Sequence, residues 1–234
     1  LSLYDATINV YGTDEAIKTS MDDLTIRMEG ENTLASTDGP AIRVEKAKST
    51  ITGGGKMTLT GKDFGIYVAP NASLTIDNSG IDSKGSIGNE MAGAEITINN
   101  SSVTAKGNTY ASMCGIQTLS LNGCSIVKPS GASFDASLAG IALNSELVKD
   151  EVVIKAQEIT YYDLEVAGRR VTSANCNTLS KLDYVNGTIL YDPTANVLTF
   201  KDVSIAGAIN AVVSHSDNLT IKLIGNNNFT TEYV

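Results

Sequence analysis

Residues 74–81 read L-T-I-D-N-S-G-I, and the same pattern returns as I-T-I-N-N-S-S-V at 96–103 and as L-S-L-N-G-C-S-I at 119–126. The copies begin 22 and 23 residues apart (96 − 74 and 119 − 96). In each copy an apolar, polar, apolar triplet precedes a polar turn and another apolar residue, which is the alternation of a β-strand interrupted by a corner. A repeat of this length is typical of a solenoid, in which each coil packs only against its neighbours.

A third strand in each coil is indicated by pairs of a small residue and isoleucine. These pairs are Ala41-Ile42, Gly65-Ile66, Gly115-Ile116 and Gly140-Ile141. Three strands in roughly 22 to 25 residues, at about 3.3 Å per residue, match one turn of a parallel β-helix. We therefore predict an all-β protein, a right-handed parallel β-helix (solenoid), in which the inward residues Ile76, Ile98 and Leu121 stack in a column.

A longer repeat relates the two ends of the chain. The run L-T-I-R-M-E-G-E-N at 24–32 returns as L-T-I-K-L-I-G-N-N at 219–227, and L-S-L-Y-D-A-T-I at 1–8 returns as L-T-F-K-D-V-S-I at 198–205. The offsets are 195 and 197 residues (219 − 24 and 198 − 1). Neither end of the chain shows an obvious cap for the exposed strand edges of a solenoid. We therefore expect the open ends to be completed by neighbouring sequence or by self-association.

The coil pattern stops at Tyr162 and gives way to a segment of a different kind. Thr172 or Ser173 can cap a short helix at about 174–182, and Asp192-Pro193 favours a turn between two strands. We place these strands at 188–191 and 197–201. The predicted organisation is coils at 1–161, a small insertion with a short helix and a β-hairpin at 162–201, and the first coil or coils of a second copy at 202–234.

Two motifs of this insertion point to a family. They are Y-D-L-E-V-A-G-R-R-V-T-S-A-N at 162–175 and Y-D-P-T-A-N-V-L-T-F at 191–200. In these motifs, and in the run at 219–227, the chain resembles uncharacterised β-helical modules of secreted and surface proteins from gut anaerobic bacteria, which are labelled carbohydrate-binding or adhesin-like. The resemblance implies an extracellular or cell-surface location and leaves the ligand open.

Composition restricts the classes of partner. The chain has 17 Lys and Arg against 26 Asp and Glu, a net charge of −9, which disfavours nucleic acids and anionic lipids and favours cations or neutral polymers. No stretch approaches the roughly 20 apolar residues of a membrane helix, so no membrane insertion is expected. The three cysteines, Cys114, Cys124 and Cys176, lack the spacing of a zinc site.

The aligned coils offer no catalytic pair. Matched positions of adjacent coils should lie about 4.8 Å apart, close to the roughly 5 to 5.5 Å between the two carboxylates of a retaining glycosidase. In the aligned repeats, however, Asp77 faces Asn99 and Glu95 faces Ser73. We therefore predict no catalytic residues and favour a non-enzymatic extracellular binding or adhesive module for a glycan or cell-surface polymer. The alternatives are a polysaccharide lyase or glycoside hydrolase on the same scaffold, and a structural spacer in a tandem surface protein.

Candidate ligand-binding residues follow from the chemistry of sugar recognition. Because the chain has no Trp, a pyranose ring would have to stack on tyrosine, and Tyr67 and Tyr110 are predicted to lie near coil edges. Asn78 and Asn100 form either a polar ligand-binding row or a ladder of turn residues. No cofactor is expected except a calcium ion, for which Asp22 and Asp23 are the candidates; the competing interpretation is that Asp22 caps a turn.

Overall fold

The computed structural model describes residues 1–46, 48–182, 184–208 and 210–231. It is a β-solenoid, and its regular secondary structure is almost entirely β-strand. The chain divides into two compact units, Leu1–Gln157 and Glu158–Val234, here called unit 1 and unit 2. The strands of unit 1 are β1 (Ser2–Tyr4), β2 (Thr7–Val10), β3 (Ile17–Thr19), β4 (Asp23–Glu29), β5 (Glu31–Ser36), β6 (Ile42–Val44), β7 (Lys48–Thr52), β8 (Lys56–Val68), β9 (Ser73–Asp77), β10 (Gly80–Gly88), β11 (Ala94–Asn99), β12 (Ser102–Ala105), β13 (Met113–Cys114), β14 (Ile116–Asn122), β15 (Cys124–Lys128), β16 (Ser133–Asp135), β17 (Gly140–Leu143), β18 (Glu146–Leu147) and β19 (Val152–Ala156).

One side of unit 1 is a parallel sheet with six strands in the order β1-β4-β7-β9-β11-β14. Each coil contributes one strand to it. The inward column runs through Ile26, Ile51, Ile76, Ile98 and Leu121, which pair from strand to strand. The predicted stacking of Ile76, Ile98 and Leu121 is confirmed. Burial of this aliphatic column removes a continuous apolar strip from water, which is the main favourable contribution to folding.

The other sides of the coils belong to a second sheet. In one coil of this sheet, the long strand β8 takes the place that the two short strands β5 and β6 have in the coil before it. β8 pairs in parallel with both β5 and β6, and it covers two sides of its coil. The predicted pairing of Ile42 with Ile66 is confirmed. β8 and β10 pair with register shifts between Lys84 and Ile87, where the strands turn from one side to the next.

The prediction of the third strand is wrong for the last two of its four pairs. In the coil after β10 the partner of Ile87 is Met113, whereas Ile116 lies on the first sheet and pairs with Ala94. Ile141 belongs to the antiparallel strand β17. A small residue before isoleucine is common to corners and strand starts, so this pair alone did not distinguish one side of the coil from another.

The final coils of unit 1 are closed by antiparallel strands, which lie inside the chain and not at either of its ends. β19 lies between β12 and β15 and pairs with both in the antiparallel sense, so that Ile154 separates Val103 from Ile126. β17 pairs antiparallel with β13, β16 and β18. A chain that folds back in this way satisfies the backbone groups of an otherwise open parallel edge.

Unit 2 contains the insertion and the second copy. Its elements are β20 (Tyr161–Val166), β21 (Arg169–Thr172), a 3₁₀ helix (Leu179–Lys181), β22 (Val185–Asp192), β23 (Val197–Ala208), β24 (Val212–Ser214), β25 (Thr220–Ile224) and β26 (Asn228–Thr231). The predicted hairpin is present as the antiparallel pair β22 and β23. Where a helix at about 174–182 was predicted, the described residues form turns and the single 3₁₀ turn. Among the described residues, no helix has the length and apolar character needed to cross a membrane.

The long repeat is reproduced in register. Leu3 pairs with Met28 in unit 1, and their sequence equivalents Phe200 and Leu223 pair in unit 2. The corner that follows is built identically: Asp5 and Asp202 both have positive φ, at 45° and 51°. Asp5 Oδ1 accepts a hydrogen bond from the Glu31 backbone, and Asp202 Oδ1 accepts one from Asn226, its equivalent partner. The repeat therefore preserves a hydrogen-bonded corner as well as a hydrophobic pattern.

Candidate functional site

A cleft of about 320 Å³ lies in unit 1, between strands β6 and β8, the turn before β6 and the loops that follow β10 and β12. Its lining combines aromatic rings, carboxylates and one arginine. The lining residues are Thr13, Asp38, Gly39, Pro40, Arg43, Asp63, Phe64, Tyr67, Glu90 and Tyr110. The volume is at the lower end of the range for ligand pockets, roughly 300 to 1,000 Å³. Polar groups that converge around aromatic surfaces make this cleft the candidate site.

Coil stacking places Arg43 and Tyr67 side by side. They are register partners on β6 and β8, and the guanidinium carbon lies 4.4 Å from the centre of the Tyr67 ring. The arginine is also held by Glu15, because its Nε donates a hydrogen bond to that carboxylate. The next partner of Tyr67 is Gly88, which adds no side chain to this row. The half-buried Tyr67 is therefore fixed by its neighbours while part of the ring stays accessible.

Tyr110 reaches the cleft on a loop between β12 and β13. Asn108 Nδ2 donates to the Lys62 carbonyl at 2.8 Å, and the Thr109 hydroxyl donates to Asp63 Oδ1, so the loop is anchored 46 residues back along the chain. This anchoring stacks Tyr110 on Phe64, with ring centres 5.0 Å apart and planes 24° from parallel. Tyr110 remains 37% exposed. One face of its ring is therefore packed, and the tyrosine still presents aromatic surface to solvent.

Phe64 joins the two tyrosines into one aromatic cluster. Its ring meets Tyr67 edge to face, with centres 5.4 Å apart, and meets Tyr110 in the stacked arrangement. Aromatic pairs in these geometries are stabilising by about 0.5 to 1.5 kcal/mol beyond the area they bury. The cluster is thus a preformed surface, which lowers the entropic cost of binding a rigid ligand.

The carboxylates of the cleft differ in how they are compensated. Lys62 Nζ lies 3.8 Å from Asp38 Oδ1, and Arg43 is paired with Glu15 outside the lining. Within the part of the chain that the structure describes, neither Asp63 nor Glu90 has an ion-pair partner. Two carboxylates of the lining therefore keep their charge uncompensated by a neighbouring cation, which makes the cleft electronegative.

Burial and the charge of Glu90 raise the pKa of two groups, one in the cleft and one beneath it. Partial burial, and after it the charge of Glu90, raise the pKa of Tyr67, whereas Arg43 acts in the opposite direction. Cys114 is buried beneath the cluster with Phe64 and Ala111. Burial, followed by the charge of Glu90, raises the pKa of the Cys114 thiol from 9.0 to about 11.

The raised thiol pKa predicts a pH-dependent stability. Because Cys114 binds its proton more tightly when folded, its contribution is complete below the unfolded pKa of 9.0 and disappears as the pH rises to about 11. Two pKa units correspond to roughly 2 to 3 kcal/mol. Between pH 8.5 and 11 we expect the unfolding free energy of the wild type to fall by about 2 kcal/mol more than that of Cys114→Ala. Denaturant titrations at the two pH values measure this difference, and equal losses in both proteins would contradict it.

The four candidate ligand-binding residues separate into two kinds of place in unit 1. Tyr67 and Tyr110, predicted singly from sequence, line the same cleft. Asn78 and Asn100 do not line it: they are exposed corner residues with φ of 46° and 44°. The Asn78 N–H donates to the Asn99 carbonyl, and the Asn100 N–H donates to the Asn122 carbonyl. Their positions match those of turn residues that tolerate a left-handed backbone.

Asp22 and Asp23 are both exposed, and Asp23 begins β4. The Asp22 carbonyl accepts a hydrogen bond from the Lys48 backbone of the next coil. Across the described ranges, no three His, Cys, Asp or Glu side chains come together in a way that could hold a metal ion. The structure therefore gives these two aspartates a place at a coil corner and adds no further ligand to them.

Sequence reasoning missed Arg43, Phe64, Asp63 and Glu90. The pairing of Arg43 with Tyr67 follows from the Ile42 and Ile66 register, so this contact could have been found from the repeat. The others lie at corners or register shifts, where coil alignment has no fixed correspondence. No protein-family model, curated protein or solved structure matches the chain.

Proposed function

We propose that the chain is a non-enzymatic binding module, extracellular or on a cell surface, that holds a glycan or similar polyhydroxylated polymer in the cleft of unit 1. The observation that supports this most directly is the convergence of Tyr67, Phe64 and Tyr110 with Arg43 and carboxylates in one cleft. The motifs at 162–175 and 191–200 support the location through their resemblance to surface-protein modules. We also propose right-handed winding of the coils, because connections between parallel strands of one sheet are right-handed in most proteins.

The lining suits both the apolar faces and the polar edge of a sugar ring. A pyranose presents C–H groups above and below its ring and hydroxyls around its edge. The exposed surface of Tyr110 can pack against the C–H groups, and the Asp63 and Glu90 carboxylates can accept hydrogen bonds from the hydroxyls. Because hydrogen bonds to a charged acceptor are stronger than neutral ones, these carboxylates would also orient the ring.

Removing the exposed ring is expected to weaken glycan binding. Tyr110→Ala deletes the stacking surface and should lower affinity by about tenfold or more, since one aromatic contact contributes about 1 to 3 kcal/mol in comparable stacking interactions. The matched control is Tyr4→Ala, which removes a 60% exposed tyrosine on β1, outside the cleft. A glycan array would identify the ligand, and calorimetry on the three proteins would give the affinities.

Two results would contradict the proposal. One is a wild-type chain that binds no glycan on the array. This outcome would favour the structural-spacer alternative, which is consistent with the repeated hydrogen-bonded corners. The other is a ligand for which Tyr110→Ala and Tyr4→Ala reduce affinity equally, because the site would then lie outside the cleft.

The enzyme alternative is favoured by one specific observation. Asp38, Asp63 and Glu90 line the cleft together with Arg43, so more than one carboxylate and a cation face the same space. Glycoside hydrolases use two carboxylates on opposite sides of the scissile bond. A reducing-sugar assay on every glycan found by the array tests this alternative. Product formation that is lost in Asp63→Asn or Glu90→Gln, with binding retained, would establish a hydrolase in place of a binding module.

A further inference from the structure

We propose that the cleft of unit 1 selects a cationic ligand, namely a saccharide with a free amino group. This inference rests on the proposed function and specifies its substrate class. It predicts that an amino sugar binds more tightly than the same sugar with a neutral acetamido group. The reasons are the aromatic cluster, the uncompensated carboxylates and the charge of the whole chain.

Aromatic rings arranged around a cavity attract cations. The electron-rich faces of Tyr and Phe interact with an ammonium or guanidinium within about 6 Å of the ring centre. The cleft already contains one such contact, between Arg43 and Tyr67. Tyr110 packs on Phe64 through one face and is 37% exposed, so it offers a second accessible aromatic surface. Among the described contacts, no Lys or Arg side chain lies over this ring.

Two of the carboxylates that face the cleft have no ion-pair partner among the described residues, and the one arginine of the lining is already paired. Arg43 is paired with Glu15, and the Asp38 carboxylate lies near Lys62. Asp63 accepts the Thr109 hydroxyl and Glu90 is exposed, and neither has an ion pair among the described residues. An ammonium group in the cleft can therefore pair with either carboxylate, whereas both carboxylates would repel a uronate or sulfate group.

The field of the whole chain acts in the same direction. A net charge of −9 attracts cationic ligands and raises their association rate at low ionic strength. The volume of about 320 Å³ suits a group of the size of one sugar residue. The contact is then local: one amino sugar enters the cleft, and the rest of a polymer lies along the coils.

The experiment compares three probes on the intact chain by calorimetry. They are a fully deacetylated chito-oligosaccharide, the N-acetylated oligosaccharide of the same length, and tetramethylammonium. We expect the deacetylated probe to bind about tenfold more tightly than the acetylated one. This preference should shrink in high salt, and it should disappear at a pH where the sugar amine is neutral. Tetramethylammonium should compete with the deacetylated probe.

The variants Asp63→Asn and Glu90→Gln, alone and together, test whether the cleft is responsible. Asparagine keeps an oxygen that can accept the Thr109 hydroxyl, so the loop that positions Tyr110 is retained. The double variant should bind the two oligosaccharides with affinities within about threefold of each other. The control Glu95→Gln, which neutralises an exposed carboxylate on β11, should keep the preference of the wild type.

The outcomes separate this inference from the proposed function. Equal binding of the acetylated and deacetylated probes would overturn the inference and leave glycan binding in place. A preference that survives in the double variant but falls in Glu95→Gln would also overturn it, because the selective charge would lie elsewhere. Binding of tetramethylammonium alone, with no oligosaccharide bound, would support a cation site and overturn glycan binding.

Discussion

Ile26→Ala is expected to destabilise unit 1 by about 3 kcal/mol, whereas Ile221→Ala, the same change at the equivalent position of the second copy, should cost unit 2 less than about 1 kcal/mol. Ile26 is 1% exposed and Ile221 is 49% exposed. In unit 1 the next coil covers the position, because Ile26 pairs with Ile51. Truncation there removes buried methyl groups and leaves a cavity inside the column, and both effects are destabilising.

The two units make hydrogen exchange the appropriate measurement. A chain with two compact units need not unfold in one step, so a single melting curve would mix their stabilities. Peptides from β4 and β7 report the opening free energy of unit 1, and peptides from β23 and β25 report that of unit 2. Equal losses in the two variants would show that Ile221 is buried in solution, in contrast to its exposure in the structure. A loss below about 1 kcal/mol for Ile26→Ala would show that the column collapses around the cavity.

The parts of the fold that sequence predicted are those where one coil repeats the next. Alternation fixes which residues face inward, and a slip of one residue would move the whole apolar set to solvent, so the register of Ile76, Ile98 and Leu121 was strongly specified. The closing strands could not be predicted in this way. β19 lies next to β12 in the antiparallel sense, although it is separated from it by the whole of β13 to β18. No periodicity encodes such a pairing.

The residues of the candidate site also differ in whether the coil repeat could predict their positions. Tyr67 lies on a strand that repeats from coil to coil, so its contact with Arg43 could have been predicted from the strand register. Tyr110 lies on a loop that bypasses one coil to contact Phe64 two coils away. Its place depends on Thr109 and Asn108 bonding to the earlier corner, and these are contacts between unlike segments. Aromatic composition suggested the residue, but only the folded chain shows that the two tyrosines share a cleft.

Asn32 tests the hydrogen-bonded corner that the two copies share. In unit 1, Asn32 Oδ1 accepts the Ala6 N–H at 2.9 Å, and its Nδ2 donates to the Glu29 carbonyl at 3.0 Å. In unit 2, Asn227 repeats both bonds, accepting from Val203 at 3.0 Å and donating to Ile224 at 3.1 Å. The side chain thus satisfies two backbone groups where a coil turns, and it joins consecutive coils across the corner.

Asn32→Ala should therefore destabilise unit 1 by about 3 kcal/mol, because each buried group left without a partner costs about 1 to 3 kcal/mol. Asn32 is 2% exposed, so water cannot replace the lost amide without a rearrangement of the corner. Asn227 is half-buried, and for Asn227→Ala we expect about 1 kcal/mol, since solvent can reach the freed groups. Amide exchange at Ala6 and Val203 measures the two effects separately. In Asn32→Ala we expect the Ala6 amide to exchange about a hundredfold faster and the Val203 amide to exchange at its wild-type rate. Unchanged exchange at Ala6 would mean that the Asp5 bond and the coil packing hold the corner without Asn32.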